Sequence, residues 1–230
     1  TAGGTASNLT INTTGAATVS GAVGTDIGTV TVTQSGGTTF QNTLNASTVT
    51  LTDTTGTVAF QGNATIGTLN TANKGYNVSM TGGSNTVTSA VSFLNTGTVT
   101  LGDGGDSFTF TGGVATSGNA SNPSSTTVNG NVSTTNTALT LGTTSVGGNS
   151  TLDAGTNTIT LGAATLADGV TLTLGTGAGT TISASSISGT AGGTASNLTI
   201  NTTGAATVSG AVGTDIGTVT VTQSGGTTFQ

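Results

Sequence analysis

Apolar and hydroxyl residues alternate with a period of two in a series of short runs. The clearest are Val30 and Val32 in TVTVT, Val49 and Leu51 in TVTLT, Val99 and Leu101 in TVTLG, Leu139 and Leu141 in ALTLG, Ile159 and Leu161 in TITLG, and Leu172 and Leu174 in TLTLG. This period marks strands with one buried and one wet face. Thr fills the outward positions, where a β-branched side chain favours extended backbone and its hydroxyl meets water. Helix does not compete, because Gly and Asn recur every few residues and no i, i+3, i+4 apolar stripe is present.

The spacing of the runs points to an architecture. Between first apolar residues, Val30 to Val49 is 19, Val49 to Val87 is 38, Val99 to Leu139 is 40 and Leu139 to Ile159 is 20. A second series, Val87 to Val99 and Ile159 to Leu172, lies out of step by 12 or 13. A coil of about 19 to 20 residues with two or three strands per turn gives both spacings. The expectation is an all-β, parallel β-solenoid, right-handed by the general rule for parallel crossovers.

TVTLTDTTGTVAF at 48–60 and TVTLGDGGDSFTF at 98–110 align as one degenerate inner unit of strand, Gly or Asp corner, strand. Val58 with Phe60, and Phe108 with Phe110, are its expected inward pairs. One coil cannot cover its own apolar face, but stacked coils form a continuous core. The competing architecture is a string of immunoglobulin-like sandwiches, which also show short alternating strands. Those domains carry a core Trp and a tyrosine corner, whereas this chain has no Trp and one Tyr. Disorder pairs low hydrophobicity with high charge or proline, and neither is present here.

The segment 1–41 returns unchanged at 190–230, so that Thr1 matches Thr190 and Gln41 matches Gln230. The chain is therefore read as one full repeat, 1–189, followed by the start of the next, 190–230. At the inner spacing, a repeat is expected to hold nine or ten coils of one continuous solenoid and to advance roughly 43 to 48 Å at about 4.8 Å per coil. With no initiator Met and no signal segment, both ends of the protein are expected elsewhere.

Composition excludes several functions. Only eight side chains carry charge, seven Asp and Lys74, and His and Cys are absent, whereas ordinary domains are about a quarter charged. One lysine cannot displace counterions from phosphates, so no nucleic-acid partner is expected. No apolar run reaches the roughly 18 residues that span a bilayer. Catalysis would have to rest on scattered Asp, Lys74 and Tyr76, with no base to activate the abundant hydroxyls. A glycosidase-type pair of carboxylates is not expected from aspartates in separate turns. The chain is read as non-catalytic, with no cofactor other than a candidate calcium ion.

That candidate is Asp103 and Asp106 in the Gly-rich turn of LGDGGDSFTF, which resembles one unit of the calcium-binding nonapeptide repeat. The alternative is two solvated turn aspartates. Asn-x-Ser/Thr sequons occur at Asn8, Asn12, Asn45, Asn63, Asn77, Asn119, Asn131, Asn149, Asn197 and Asn201, and many are expected to be turn residues or stacked amides. ANKGYNVSM, 72–80, gathers the single Lys, Tyr and Met as either a contact patch or an irregular bulge with Met80 inside. The stretch 112–131 lacks clean alternation, holds the one Pro, and is expected to protrude as a loop, where binding often lives.

The TVTLxD and TITLG strands, the Thr/Gly/Asn/Ala bias, the scarcity of charge and the long identical repeat together resemble repeat-rich bacterial surface proteins of the filamentous-haemagglutinin and autotransporter-passenger type. The resemblance implies a secreted, cell-surface β-helix acting in adhesion, biofilm matrix or a sheath. The expected function is a structural extracellular fibre, and the alternative is the stalk of a large adhesin with ligand binding elsewhere. The expected partners are further copies of the chain, end to end or lateral, and other surface or matrix molecules.

Overall fold

The computed structural model describes residues 4–230, and among them there is no helix. The chain winds into a parallel β-solenoid of about 11 turns. Each turn crosses three faces, and each face points alternate side chains inward, buried wherever a turn lies on both sides.

Face 1 carries, turn by turn, Leu9, Val30, Val49, Leu69, Val91, Val114, Leu139, Ile159, Ile182, Ala206 and Thr227 as its first inward residue. The step from Leu69 to Val91 is made by Ser89 N–H donating to Gly67 O and by the Thr71 hydroxyl donating to Ser92 O. Face 2 runs from Ala17 through Thr38, Val58, Val78 and Val99 to Ala164 and Ile187. Face 3 runs from Leu44 and Ala64 through Phe108, Val132, Leu152 and Leu174 to Ile200 and Val221.

Successive face 1 positions are closest in sequence between Val30 and Val49 and furthest apart between Val114 and Leu139. The spacing read from the sequence is thus that of the shortest coils, and longer turns accommodate their extra residues at corners. The longest, from Val114 to Leu139, holds the excursion at 116–124.

Stacking puts like on like. Phe40 and Phe60 lie parallel with ring centroids 5.3 Å apart, and Met80 pairs in register above Phe60. Phe93 meets Phe110 edge to face at 6.5 Å. Offset and T-shaped pairs of this kind add to simple area burial. At one corner the chain passes so close to its neighbours that a Cβ on Gly82 would lie 2.4 Å from Gly62 O, and one on Gly62 would lie 2.3 Å from Asn42 C. Only glycine lets those coils approach at ladder spacing.

Several inward positions are polar and pair inside the core. Ser35 and Thr54 hydroxyls lie 3.1 Å apart, the Thr38 hydroxyl donates to Ser35 Oγ at 3.0 Å, and that of Thr126 donates to Thr116 Oγ1 at 2.8 Å. Pairing of this sort removes the penalty for burying a lone hydroxyl.

The expectation of a loop over 112–131 is corrected. Val114–Ala115 and Ser125–Thr134 are strands, with Val114, Thr126, Val128, Val132 and Thr134 inward. The alternation there is carried partly by Thr and Gly in place of apolar residues, which hid it. Only 116–124 departs from the coil.

The second copy of the repeated segment reproduces the first within the described residues, residues 1–3 lying outside them. Leu9 pairs with Val30 as Leu198 pairs with Val219, and Val19 pairs with Phe40 as Val208 pairs with Phe229. Burial differs at the last coil. Val30, Val32 and Phe40 are at most 1% exposed, whereas Val219, Val221 and Phe229 are 42%, 43% and 46% exposed because no coil follows them in this chain.

Candidate functional site

Asp103 and Asp106 share a corner between faces 2 and 3, within the long strand Thr98–Phe110, where the ladder shifts register between Leu101 and Asp106. The corner is formed by Gly102, Gly104 and Gly105 at φ of 95°, 151° and 74°, values that L side chains rarely adopt. Asp106 is 5% exposed, and its Oδ2 accepts the N–H of Asp103 at 2.8 Å and that of Gly104 at 3.4 Å. Asp103 faces solvent. The two carboxylates therefore share a turn but play different parts, with the inner one closing the backbone of the loop and the outer one hydrated. Among the described residues, no three His, Cys, Asp or Glu side chains gather in a group able to hold a metal.

In the stretch 72–80, Tyr76 and Met80 are fully buried. The Tyr76 hydroxyl accepts Ala72 N–H at 2.9 Å and donates to Leu51 O at 3.4 Å. Burial pushes its phenol up from 10.0 to about 12, against hydrogen bonds with Ala72 and Thr71 that act the other way. Lys74 remains outside and meets Asp53 at 3.3 Å, an exposed pair of the kind that contributes little. The cluster is mainly core, with one surface ion pair at its edge.

Several sequon asparagines join coils. Asn8, Asn63, Asn77 and Asn149 accept, through Oδ1, the N–H of Thr29, Ser84, Thr98 and Thr171 in the following turn, at 2.8 to 3.1 Å. Asn136, which is in no sequon, does the same for Thr156 at 2.9 Å. Each supplies an acceptor that the ladder lacks where the chain turns. Their sequence signal is a separation of one coil length between Asn and its partner, legible once that length is known.

The excursion at 116–124 lies down on the coil below. Ser121 and Ser124 hydroxyls donate to Leu94 O and Gly97 O at 2.6 and 3.0 Å, and Asn119 N–H donates to Asn122 Oδ1 at 3.0 Å. Pro123 closes it.

The remaining surface is unusually uniform. The outward column of face 2 reads Thr18, Thr39, Ala59, Ser79, Thr100, Thr127, Ser145, Thr165 and Ser188 in nine successive turns. A shallow groove of about 290 Å³ on face 3 runs past Asn131, Ser133, Thr151, Asp153 and Thr176, where the Asp153 carboxylate accepts Gly155 N–H at 2.9 Å and the Thr176 hydroxyl at 2.8 Å. No protein-family model, curated protein or solved structure matches the chain.

Proposed function

We propose that this chain is a segment of a structural, non-catalytic extracellular fibre whose function is length and stiffness. The observation that carries the reading is that the second copy of the repeated segment continues the same parallel coil, with Leu198, Ile200, Ala206 and Val208 buried in one core with the turns before them. A repeat that adds turns to a shared core suits a unit of length. Columns of small hydroxyls on the outside, few charges and a core shared by every turn support the same reading. The resemblance to filamentous-haemagglutinin and autotransporter-passenger proteins supports a bacterial surface, sheath or biofilm matrix as its setting. A stalk of a large adhesin is the second reading, favoured by the excursion at 116–124, the main polar departure from an otherwise even rod.

Strands Ile216–Gln223 and Thr227–Phe229 form the last coil, with an unpaired edge and apolar groups that favour association. The purified chain is expected to join end to end, giving rods that lengthen with concentration in sedimentation and negative-stain images. Fibre diffraction should show an axial spacing of about 4.8 Å. A strictly monomeric species at high concentration would count against the fibre.

A further inference from the structure

The two copies of the repeated segment fold alike but stand on different faces. Leu9 and Ile11 lie on face 1, and Ala17 and Val19 on face 2. Their counterparts Leu198 and Ile200 lie on face 3, and Ala206 and Val208 on face 1. From Leu9 to Ile182 the chain makes eight turns on face 1, and Leu198 is two faces further on. The period from Leu9 to Leu198 therefore spans 26 faces, eight turns and two thirds, which corrects the nine or ten coils expected from the shortest spacing, because most turns are longer than that. The faces tolerate the exchange because each packs its inward pair against its nearest neighbours alone. Leu198, Ile200, Ala206 and Val208 are at most 1% exposed in their new places.

We infer that tandem copies of this repeat are phased by one face per copy, so that a feature of one side winds around the rod and returns to that side only after three copies. The excursion at 116–124 lies on the corner between faces 1 and 2. In the next copy it falls between faces 3 and 1, and in the third between faces 2 and 3. Successive excursions stand about 42 Å apart along the axis and realign after about 125 Å, at about 4.8 Å per turn. A surface displayed this way suits a partner that surrounds the rod. A flat partner meets one copy in three, whereas neighbouring rods in a bundle meet every copy. The partner is accordingly a set of further copies of this chain, whose hydroxyl columns face each other with only eight charged side chains per 230 residues to oppose contact. The choice of partner rests on the fibre reading; the phasing does not.

The chain lacks cysteine, so pairs can be introduced and bridged with a short thiol reagent that spans adjacent strands. Thr31→Cys with Thr50→Cys, neighbours on face 1, sets the yield. Thr173→Cys with Thr199→Cys, neighbours on face 3, is expected to match it, while Ser183→Cys with Thr199→Cys stays unbridged, each variant first shown to melt as the parent does. Bridging of the last pair, or failure of the face 3 pair while the control bridges, overturns the phasing. In a three-copy array labelled through Ala120→Cys, gold particles are expected at three azimuths; a single straight line overturns its extension to arrays. Bundles thick in both lateral directions support the partner, and single-layer sheets overturn it while leaving the phasing intact.

Discussion

At the scale of residues, the buried polar groups make the sharpest predictions. Tyr76 is the only tyrosine and there is no Trp, so its ionisation can be followed alone by absorbance. Its folded phenol is raised from 10.0 to about 12. The raised value means that stability from this group is intact below about pH 10 and is lost as pH rises through 12. The loss is expected to reach roughly 2 to 3 kcal/mol, at about 1.4 kcal/mol per unit, read by urea unfolding across that window. Tyr76→Phe should remove the alkaline loss and itself cost no more than about 1 kcal/mol, because Ala72 N–H keeps Leu51 O as an acceptor at 3.0 Å when the hydroxyl is gone. At the glycine corner, Asp106→Ala should cost about 1 to 3 kcal/mol by stripping the acceptor from Asp103 and Gly104 N–H, and Asp106→Asn should recover much of it. With its inner oxygen committed to those two donors, the corner is expected to melt at the same temperature in chelator and in millimolar calcium. A calcium-dependent rise would instead make Asp103 and Asp106 ligands.

At the scale of elements, a strand was legible where its inward residues are apolar and obscure where they are not. The pairs at Val30 and Val32, Leu139 and Leu141, and Ile159 and Leu161 all fall inward on face 1. Face 2 is harder to see because Thr38, Thr126 and Thr144 are inward, and a hydroxyl that finds a buried partner breaks the apolar pattern without breaking the strand. That is also why 125–131, the first part of the strand Ser125–Thr134, reads as a loop until its pairing is known. The coil length was visible only in its shortest turns, since corner insertions lengthen others, the turn from Val114 to Leu139 most of all. The asparagine bridges could not be seen without that length, although their residues stand out as sequons. Their contribution is testable at Asn77, whose Oδ1 accepts both the N–H and the hydroxyl of Thr98 at 2.8 and 3.1 Å. Asn77→Ala is expected to destabilise by about 1 to 2 kcal/mol in urea, and Asn77→Asp by less, because the carboxylate keeps the acceptor.

At the scale of the whole molecule, the repeated segment supplies its own control. Phe40 and Phe229 occupy the same place in identical sequence, so their difference is the presence of a following coil. Phe40 stacks on Phe60 at 5.3 Å and is 1% exposed, whereas Phe229 is 46% exposed. Phe40→Ala should cost about 3 to 5 kcal/mol, as for buried aromatics, and Phe229→Ala about half of that, in proportion to the area it hides. Copying residues 42–63 after Gln230 would supply the missing coil. In the extended chain the cost of Phe229→Ala should rise toward that of Phe40→Ala, and the melting temperature of the parent should rise with it. The added coil must achieve this on a different pair of faces from its original, since Phe40 lies on face 2 and Phe229 on face 1. If the two costs converge, coverage by the next turn determines stability and the face does not matter. If they remain apart, the faces are not equivalent, and the one-face offset between copies would strain every junction of an array.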